Sequence, residues 1–519
     1  MTSNVNRRDF LKGAGLTALA AGALGLAGCG QPQTASSQSL SNTGTANASD
    51  TSSYNVTEEI DADIVIVGAG IAGIAAAVQA GENGDRVVLM DWAAEIGGAG
   101  IGVEGTLGWN SPLQKEQGIE FDANELVIDE LAGANYLVDA TAWRRLMEAS
   151  GDNIEWLMGH GVEFSGVVDT YPIAYPDGTI AQSKYDVFHW FGGGSAYDNY
   201  EGMAGGSAYE GYVKPLTKVI NDYGVDVRLN TRGTDLVFND EGRVAGVYAL
   251  TDESAGTYLK VNAPVVIIAT GGILNDAERM SARGFDPDLI VGQIVPGSSG
   301  DGTRMAIDQA GAREYFRTAY EGWNGVPGSP TNWSTIGVNL GFGGPVLWVN
   351  EFGERFTDEN VGIVNFDSAF VPRQCFRQQW AFASKSFVES TLLNGDEELI
   401  ADWKNRMAQE PENALEGDDV AALAEQAGID PETFAATIDR YNQLCQAKED
   451  VDFRKDPAKL VAFTEPPYQL WRLTYAFDSS FGDVCTDRFF RAVTKSNEPI
   501  DGLYVIGVES CLLYSNVYR

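Results

Sequence analysis

The chain has 519 residues, with 73 acidic against 35 basic and a formal net charge of −38. That length supports a large core and more than one domain. The charge excludes nucleic acid and anionic lipid surfaces as natural partners of the folded body; it would suit a basic redox partner, or serve solubility alone.

Residues 1–29 read as an address rather than as fold. Arg7-Arg8-Asp9-Phe10-Leu11-Lys12 resembles a twin-arginine export signal. The alanine- and glycine-rich apolar run after it is too short to span a bilayer stably. It ends in Leu26-Ala27-Gly28-Cys29, similar to a lipoprotein processing box that would leave Cys29 lipidated. The segment 30–56 is Ser, Thr, Asn, Ala and Gln with few apolar residues, the composition of a disordered tether. The expectation is an exported cell-membrane lipoprotein facing the extracytoplasmic side, touching the membrane only through its N-terminal lipid. Twin-arginine export carries proteins already folded, which suits a cofactor loaded in the cytoplasm.

The next stretch organises the rest. Ile64–Val67 is an apolar run, Gly68, Gly70 and Gly73 form a glycine turn, Ile74–Ala80 has a small-residue helical pattern, and Arg86–Met90 is a second apolar run closed by Asp91. Strand, turn, helix and strand in that order are the grammar of a dinucleotide site. Gly68 permits the turn, Gly70 lets backbone approach a pyrophosphate, and Gly73 lets helix and strand close up. Free N–H groups at the helix start face the phosphates. Asp91 lies 18 residues past Gly73, near the usual spacing for a ribose-binding carboxylate. The motif alone does not separate FAD from NAD.

Gly97–Gly100 and Glu104-Gly105 suit a loop running along a cofactor, or a plain surface loop. Phe121–His160 has helical periodicity, with one helix over Thr141–Met158. Phe191–Gly211 is a glycine- and tyrosine-rich loop, either a lid over a pocket or disordered. A helix is expected over Tyr212–Asp222 and strands over Asp226–Leu229, Thr234–Asn239 and Arg243–Ala249. Ala263–Ala269 reads as a buried strand running into Thr270-Gly271-Gly272, a sharp turn that brings backbone close to a ligand. Gly502–Gly507 ends the same way, with Glu509 just beyond. Cys375, Cys445, Cys485 and Cys511 are widely separated and no CxxC occurs, so buried thiols are expected rather than zinc or a local iron–sulfur motif. Two histidines, His160 and His189, argue against a histidine-based metal site.

The order of these motifs resembles the fumarate reductase and succinate dehydrogenase flavoprotein family, which includes soluble exported reductases and ketosteroid dehydrogenases. The matching pieces are Val67–Gly73, Asp91, Gly97-Gly98, Ala269–Gly272, Gly300-Asp301-Gly302, Gly353–Glu359 and Gly502–Gly507. The resemblance implies FAD as cofactor. It implies an α/β fold, a Rossmann-like FAD-binding domain with an inserted α+β capping domain. The expected parts are an FAD-binding domain over 57–274 and 466–519, a cap over 275–379 and a helical segment over 380–465. By position it places Ala72 and Gly73 under the pyrophosphate and Asp91 on the adenosine ribose. It places Gly98, Ala99, Gly100, Glu104 and Gly105 along the flavin, Gly233 at the adenine, and Asp301 and Glu509 at sugar or ribityl hydroxyls. Thr270 and Gly271 complete the cofactor set.

The substrate machinery of that family is not carried over. Reduction of fumarate needs cationic side chains to clamp carboxylates and a positioned proton donor. The family's histidine pair falls on Phe477–Asp483, which has no histidine; a further family histidine falls on Trp323, and the donor arginine on the neighbourhood of Ile363. Arg373 is the candidate proton donor, or an exposed cap arginine. Tyr320, Trp323, Trp333 and Trp348 point to an aromatic-walled pocket, or pack the cap core. Val508–Arg519 stand where the family carries a further loop and helix, which implies a shortened or frameshifted end. The sequence reading is therefore an FAD-dependent reductase of an activated C=C bond in a bulky or aromatic organic acceptor, in anaerobic electron transfer. It is supplied by a separate cytochrome or quinol-linked donor, since no haem motif occurs. A ketosteroid-type dehydrogenase and an inactive flavin-binding protein are the alternatives.

Overall fold

The computed structural model describes residues 51–103, 105–168, 173–174, 180–181, 186–192, 208–286, 290–293, 297–325, 345–359 and 378–515. All of them belong to one compact unit, Ala46–Arg519. The signal and all but the end of the expected tether, the lid residues 193–207, Glu104, Trp333, Arg373 and Cys375 lie outside the described residues.

In chain order the strands used below are β1 (Asn55–Asp61), β2 (Ile64–Val67), β3 (Val87–Met90), β4 (Asp226–Arg228), β5 (Arg232–Phe238), β6 (Val244–Asp252), β7 (Thr257–Asn262) and β8 (Val265–Ile268). They continue with β9 (Ile290–Gln293), β10 (Ala319–Gly325), β11 (Leu347–Asn350), β12 (Gln379–Ser384), β13 (Ala414–Gly417), β14 (Tyr468–Phe481), β15 (Arg491–Val493) and β16 (Pro499–Val505). Helix α1 spans Ile71–Asn83.

A six-stranded sheet in the order β15-β16-β8-β2-β3-β4 forms the centre. All its neighbours are parallel except β15. Strands β2 and β3 are short unbroken apolar runs because both faces are covered. Ile66, Val87 and Leu89 turn to the α1 side, where Ile74, Ala77 and Val78 are buried. Val65, Val67, Val88 and Met90 turn to the other side, against Val247, Leu259 and Val261. Those last residues come from a second sheet, β1-β7-β6-β5. The α/β layering expected from the motif order is present, and the chain returns at β16 to pair with β8.

The start of the fold differs from the expected tether, which was drawn to residue 56. Thr51–Ser53 is a short 3₁₀ turn and β1 begins at Asn55. Tyr54 does the ordering: its ring stacks on Tyr258 at 4.0 Å and its hydroxyl donates to Asp235 at 2.7 Å. One aromatic supplies the buried surface that the surrounding polar residues lack.

The inserted region has its own sheet, β9-β14-β12-β11, with β10 and β13 also pairing on β14. Its boundaries differ from those read off the sequence. Tyr468–Phe481, expected in the closing part of the FAD domain, is the strand on which this sheet is built. Residue 379 is no division either, because one core joins Trp348 and Val349 to Trp380, Phe382, Phe434, Ile438, Leu470 and Trp471. The expected helical segment thus packs on the cap sheet as a single body. The Gly353–Glu359 motif ties it together. Arg355 pairs with Glu359 and Asp450, both at 2.8 Å, and Lys455 pairs with Glu359 at 3.0 Å, all with side chains almost fully buried.

Candidate active site

The glycines of the first turn fall into two kinds. A Cβ on Gly68, whose φ is +106°, would lie 2.2 Å from the Ala269 carbonyl oxygen, so the ends of β2 and β8 touch backbone to backbone there. A Cβ on Gly73 would lie 1.8 Å from the Gly68 carbonyl oxygen, which closes α1 onto the strand. Gly70 is different: only the Gly97 oxygen comes near, at 3.9 Å. The same holds at Gly271, in the turn after β8, where Ser298 Oγ at 3.7 Å is the sole close atom. Gly68 and Gly73 are filled by protein, whereas Gly70 and Gly271 have room beside them for a ligand.

Gly70 is the residue before α1, and the helix start has no side-chain cap. Its first N–H groups are therefore available to phosphate, aided by the helix dipole. Ala72 stands in this turn beneath Gly507, whose added Cβ would come within 2.9 Å of the Ala72 Cβ. Gly97 is bridged to Gly70 and Gly98 follows it, with Gly98 and Ala99 exposed. Gly100 is pressed on Ile71. Gly105 pairs with Trp190 in a small three-stranded sheet, and its added Cβ would lie 2.3 Å from the His189 oxygen. Asp91 sits at the end of β3 and accepts from the N–H of Ala69 at 2.6 Å and of Ala93 at 2.9 Å, so it holds the glycine turn from beside. Gly233 lies over the same strand ends, against Val67 and Met90.

The second turn is held by Glu509. Its carboxylate is fully buried and accepts from Thr270 N–H at 2.6 Å, Thr270 Oγ1 at 2.8 Å and Gly271 N–H at 3.2 Å. Asp301 opens the helical turn after Gly300 and forms a bidentate pair with Arg232, at 2.7 and 3.0 Å. The side chain expected at sugar hydroxyls is thus engaged with an arginine from β5. Gly302 fits because a Cβ there would meet Ile268, Thr270 and Glu509 within 2.6 Å.

Beneath the turn lies a group that motif reading missed. Asp483 is fully buried, 3.0 Å from Thr318 Oγ1 and 3.4 Å from the Arg283 guanidinium, and it accepts from Ser480 Oγ at 3.3 Å. Ser480 Oγ also accepts from Ile273 N–H, directly after Gly272. Burial pushes Asp483 up to about 6 against the pull of Arg283. Burial likewise pushes Glu509 up to about 7; the Thr270 and Gly271 donors oppose the rise, and the nearby Asp483 charge adds to it. The available signal was the acid in Phe481-Gly482-Asp483, in the stretch where the histidines were sought.

The expected substrate residues separate. Tyr320 is buried with Phe285, Tyr475 and Phe477, next to Ile273 and Leu274 at the end of the turn. Trp348 belongs instead to the core of the inserted region. Trp323 stands in β10 opposite Ala476. His189 is buried on Ser111 at 2.6 Å and Val187, an internal tie rather than a reactive group.

Residues 63–519 match the model of a family described as FAD binding domain. The chain belongs to that family. Among curated relatives it is 27% identical over 482 residues to a vinyl phenol reductase of Lactiplantibacillus plantarum, covering 88% of this chain and 91% of that one. It is 26% identical over 452 residues to a fumarate reductase (cytochrome) of Shewanella frigidimarina, covering 86% and 71%. Among solved structures, a 3-ketosteroid delta1-dehydrogenase from Sterolibacterium denitrificans superposes with a TM-score of 0.67 at 17% identity, over 88% of this chain and 95% of that one. This is a flavoprotein fold, and the chain is an FAD-dependent oxidoreductase. The ligand-side space at Gly70 and Gly271 and the open start of α1 fit that cofactor.

Proposed function

We propose that the protein reduces an activated C=C bond of a bulky or aromatic organic acceptor, with FAD held between the Gly70 and Gly271 turns. The observation that carries the cofactor half is that these two open glycines follow the C-terminal ends of the neighbouring parallel strands β2 and β8, the place where open α/β sheets bind ligands. When bound, FAD supplies hydride transfer. The chain's own residues bind and orient. The start of α1, with Ala72 and Gly73, takes the pyrophosphate, Asp91 the ribose, and Gly98–Gly100 with Glu104 and Gly105 the flavin edge. Gly233 takes the adenine side. Glu509 fixes Thr270 and Gly271, and Asp301 presents Arg232 to the sugar end.

The acceptor half is supported by two features. Phe477–Asp483 carries serine and aspartate where a dicarboxylate clamp needs cations. The relative named vinyl phenol reductase aligns over nearly its whole length, and the aromatic group around Tyr320 adjoins the Gly271-Gly272 turn. Arg373 is the residue the sequence offers to deliver the proton. Export by the twin-arginine route, a lipid on Cys29, anaerobic electron transfer and a separate cytochrome or quinol-linked donor complete the reading, with the acidic surface as the docking field.

The test is acceptor-specific reoxidation. Dithionite-reduced holoenzyme should be reoxidised without oxygen by hydroxystyrenes and related aryl alkenes, and at least tenfold more slowly by fumarate. Fastest reoxidation by fumarate would sink the proposal. Flavin reduced by a saturated ketosteroid would assign the reverse, dehydrogenase reaction, and a flavin inert to all of them an inactive flavin-binding protein.

A further inference from the structure

Cys485 and Cys511 are distant in sequence and adjacent in space. Val484 and Ser510 form a parallel bridge, in which Val484 N–H donates to the Glu509 carbonyl and Cys511 N–H to the Val484 carbonyl. The next residue on each strand is a cysteine. Neighbouring strands stand about 5 Å apart and in-register side chains share a face, which is the spacing a disulfide bridges. Cys485 is buried and Cys511 half-buried, so Cys511 is the more open of the two. The Arg313 guanidinium lies against Cys485.

We propose that Cys485 and Cys511 are a redox-active pair that closes to a disulfide on meeting an external small-molecule or protein disulfide. Cys511, the less buried of the two, loses its proton to solvent base and attacks the external disulfide; a mixed disulfide forms and one thiolate leaves. Cys485 then gives up its proton and attacks Cys511 Sγ, expelling the second thiolate. The protein loses two electrons and two protons, and the external disulfide becomes two thiols. The closed bond joins the strand after Asp483 to the segment carrying Glu509. Those strands already share the Gly482–Val508 and Asp483–Glu509 backbone hydrogen bonds. The carboxylate that fixes the Thr270-Gly271 turn would thereby be clipped in place under oxidising conditions.

The experiment uses the purified full-length holoprotein and oxidised glutathione, read by peptide mass mapping. The wild type should yield the Cys485–Cys511 crosslink with Cys445 still a free thiol. Cys485→Ser should retain glutathione on Cys511, because the resolving sulfur is gone. Cys511→Ser should retain none on Cys485, because the accessible sulfur is gone. A wild type in which both thiols remain free, or a Cys511→Ser protein that captures as much glutathione as Cys485→Ser, would overturn the proposal.

Discussion

Two buried charged clusters hold this molecule, and they are built differently. In the inserted region Arg355 and Lys455 meet Glu359 and Asp450, so each carboxylate has a cation. Burial raises both carboxyls, yet Lys455 and Arg355 hold Glu359 below its ordinary value, and Arg355 with backbone donors brings Asp450 down to about 2. Beside the Gly271 turn, Asp483 and Glu509 are equally buried, but Arg283 reaches only Asp483 among the two. Glu509 has hydroxyl and N–H donors alone, and both carboxyls rise. The same residue types make a permanent tie in one place and a pair that titrates near neutrality in the other. Perturbation of that second kind marks functional sites.

The largest expected effect tests the first cluster. Glu359→Gln leaves Lys455 and Arg355 short of an anion in a dry core, and should cost about 3–5 kcal/mol of stability, seen as a lower denaturation midpoint. Flavin content of the surviving folded protein should be unchanged. A loss of flavin in step with stability would break the contrast between the two clusters.

The glycines sharpen it further. Gly73→Ala puts a Cβ onto the Gly68 carbonyl and should destabilise the protein with or without flavin. Gly70→Ala has room in the protein alone. It should leave flavin-free stability within about 1 kcal/mol of wild type while weakening FAD binding at least tenfold by fluorescence titration. Glu509→Gln keeps the shape but leaves one oxygen to serve the donors of Thr270 and Gly271, and should weaken FAD binding by about 1–3 kcal/mol.

A further effect is in pH. The folded carboxyl of Glu509 stands at about 7 against an ordinary 4.5, so the folded state binds the extra proton. Its contribution is full below pH 4.5 and is lost as pH rises through about 7. Flavin-free protein should therefore lose stability over that window, and Glu509→Gln should flatten the slope. Asp450, brought down to about 2, works in the opposite sense: its contribution is present above 3.8 and lost as pH falls toward 2.

What could be read from the sequence was what is local. The unit β2–α1–β3 announces itself through apolar runs and glycine spacing, and Ala269–Gly272 through a buried strand ending in small residues. Strands β1 and β7 gave no such signal. β1 is almost wholly exposed, and Thr257–Asn262 mixes Lys and Asn among its apolar residues. Long-range pairing hid the rest. Nothing in Tyr468–Phe481 says that it will pair with Gln379–Ser384, and Arg283 and Asp483 meet only after the chain has folded. Cys485 and Cys511 read as isolated thiols for the same reason.

The central claim is that one FAD occupies the space between the Gly70 and Gly271 turns. Its most direct test is the flavin released when purified protein is denatured, identified and counted by chromatography. The account predicts FAD in a stoichiometry approaching one per chain in the wild type, and little or none in Gly70→Ala with an unchanged flavin-free melting temperature. A wild type that releases no FAD, or a Gly70→Ala protein that keeps its full complement, would contradict it.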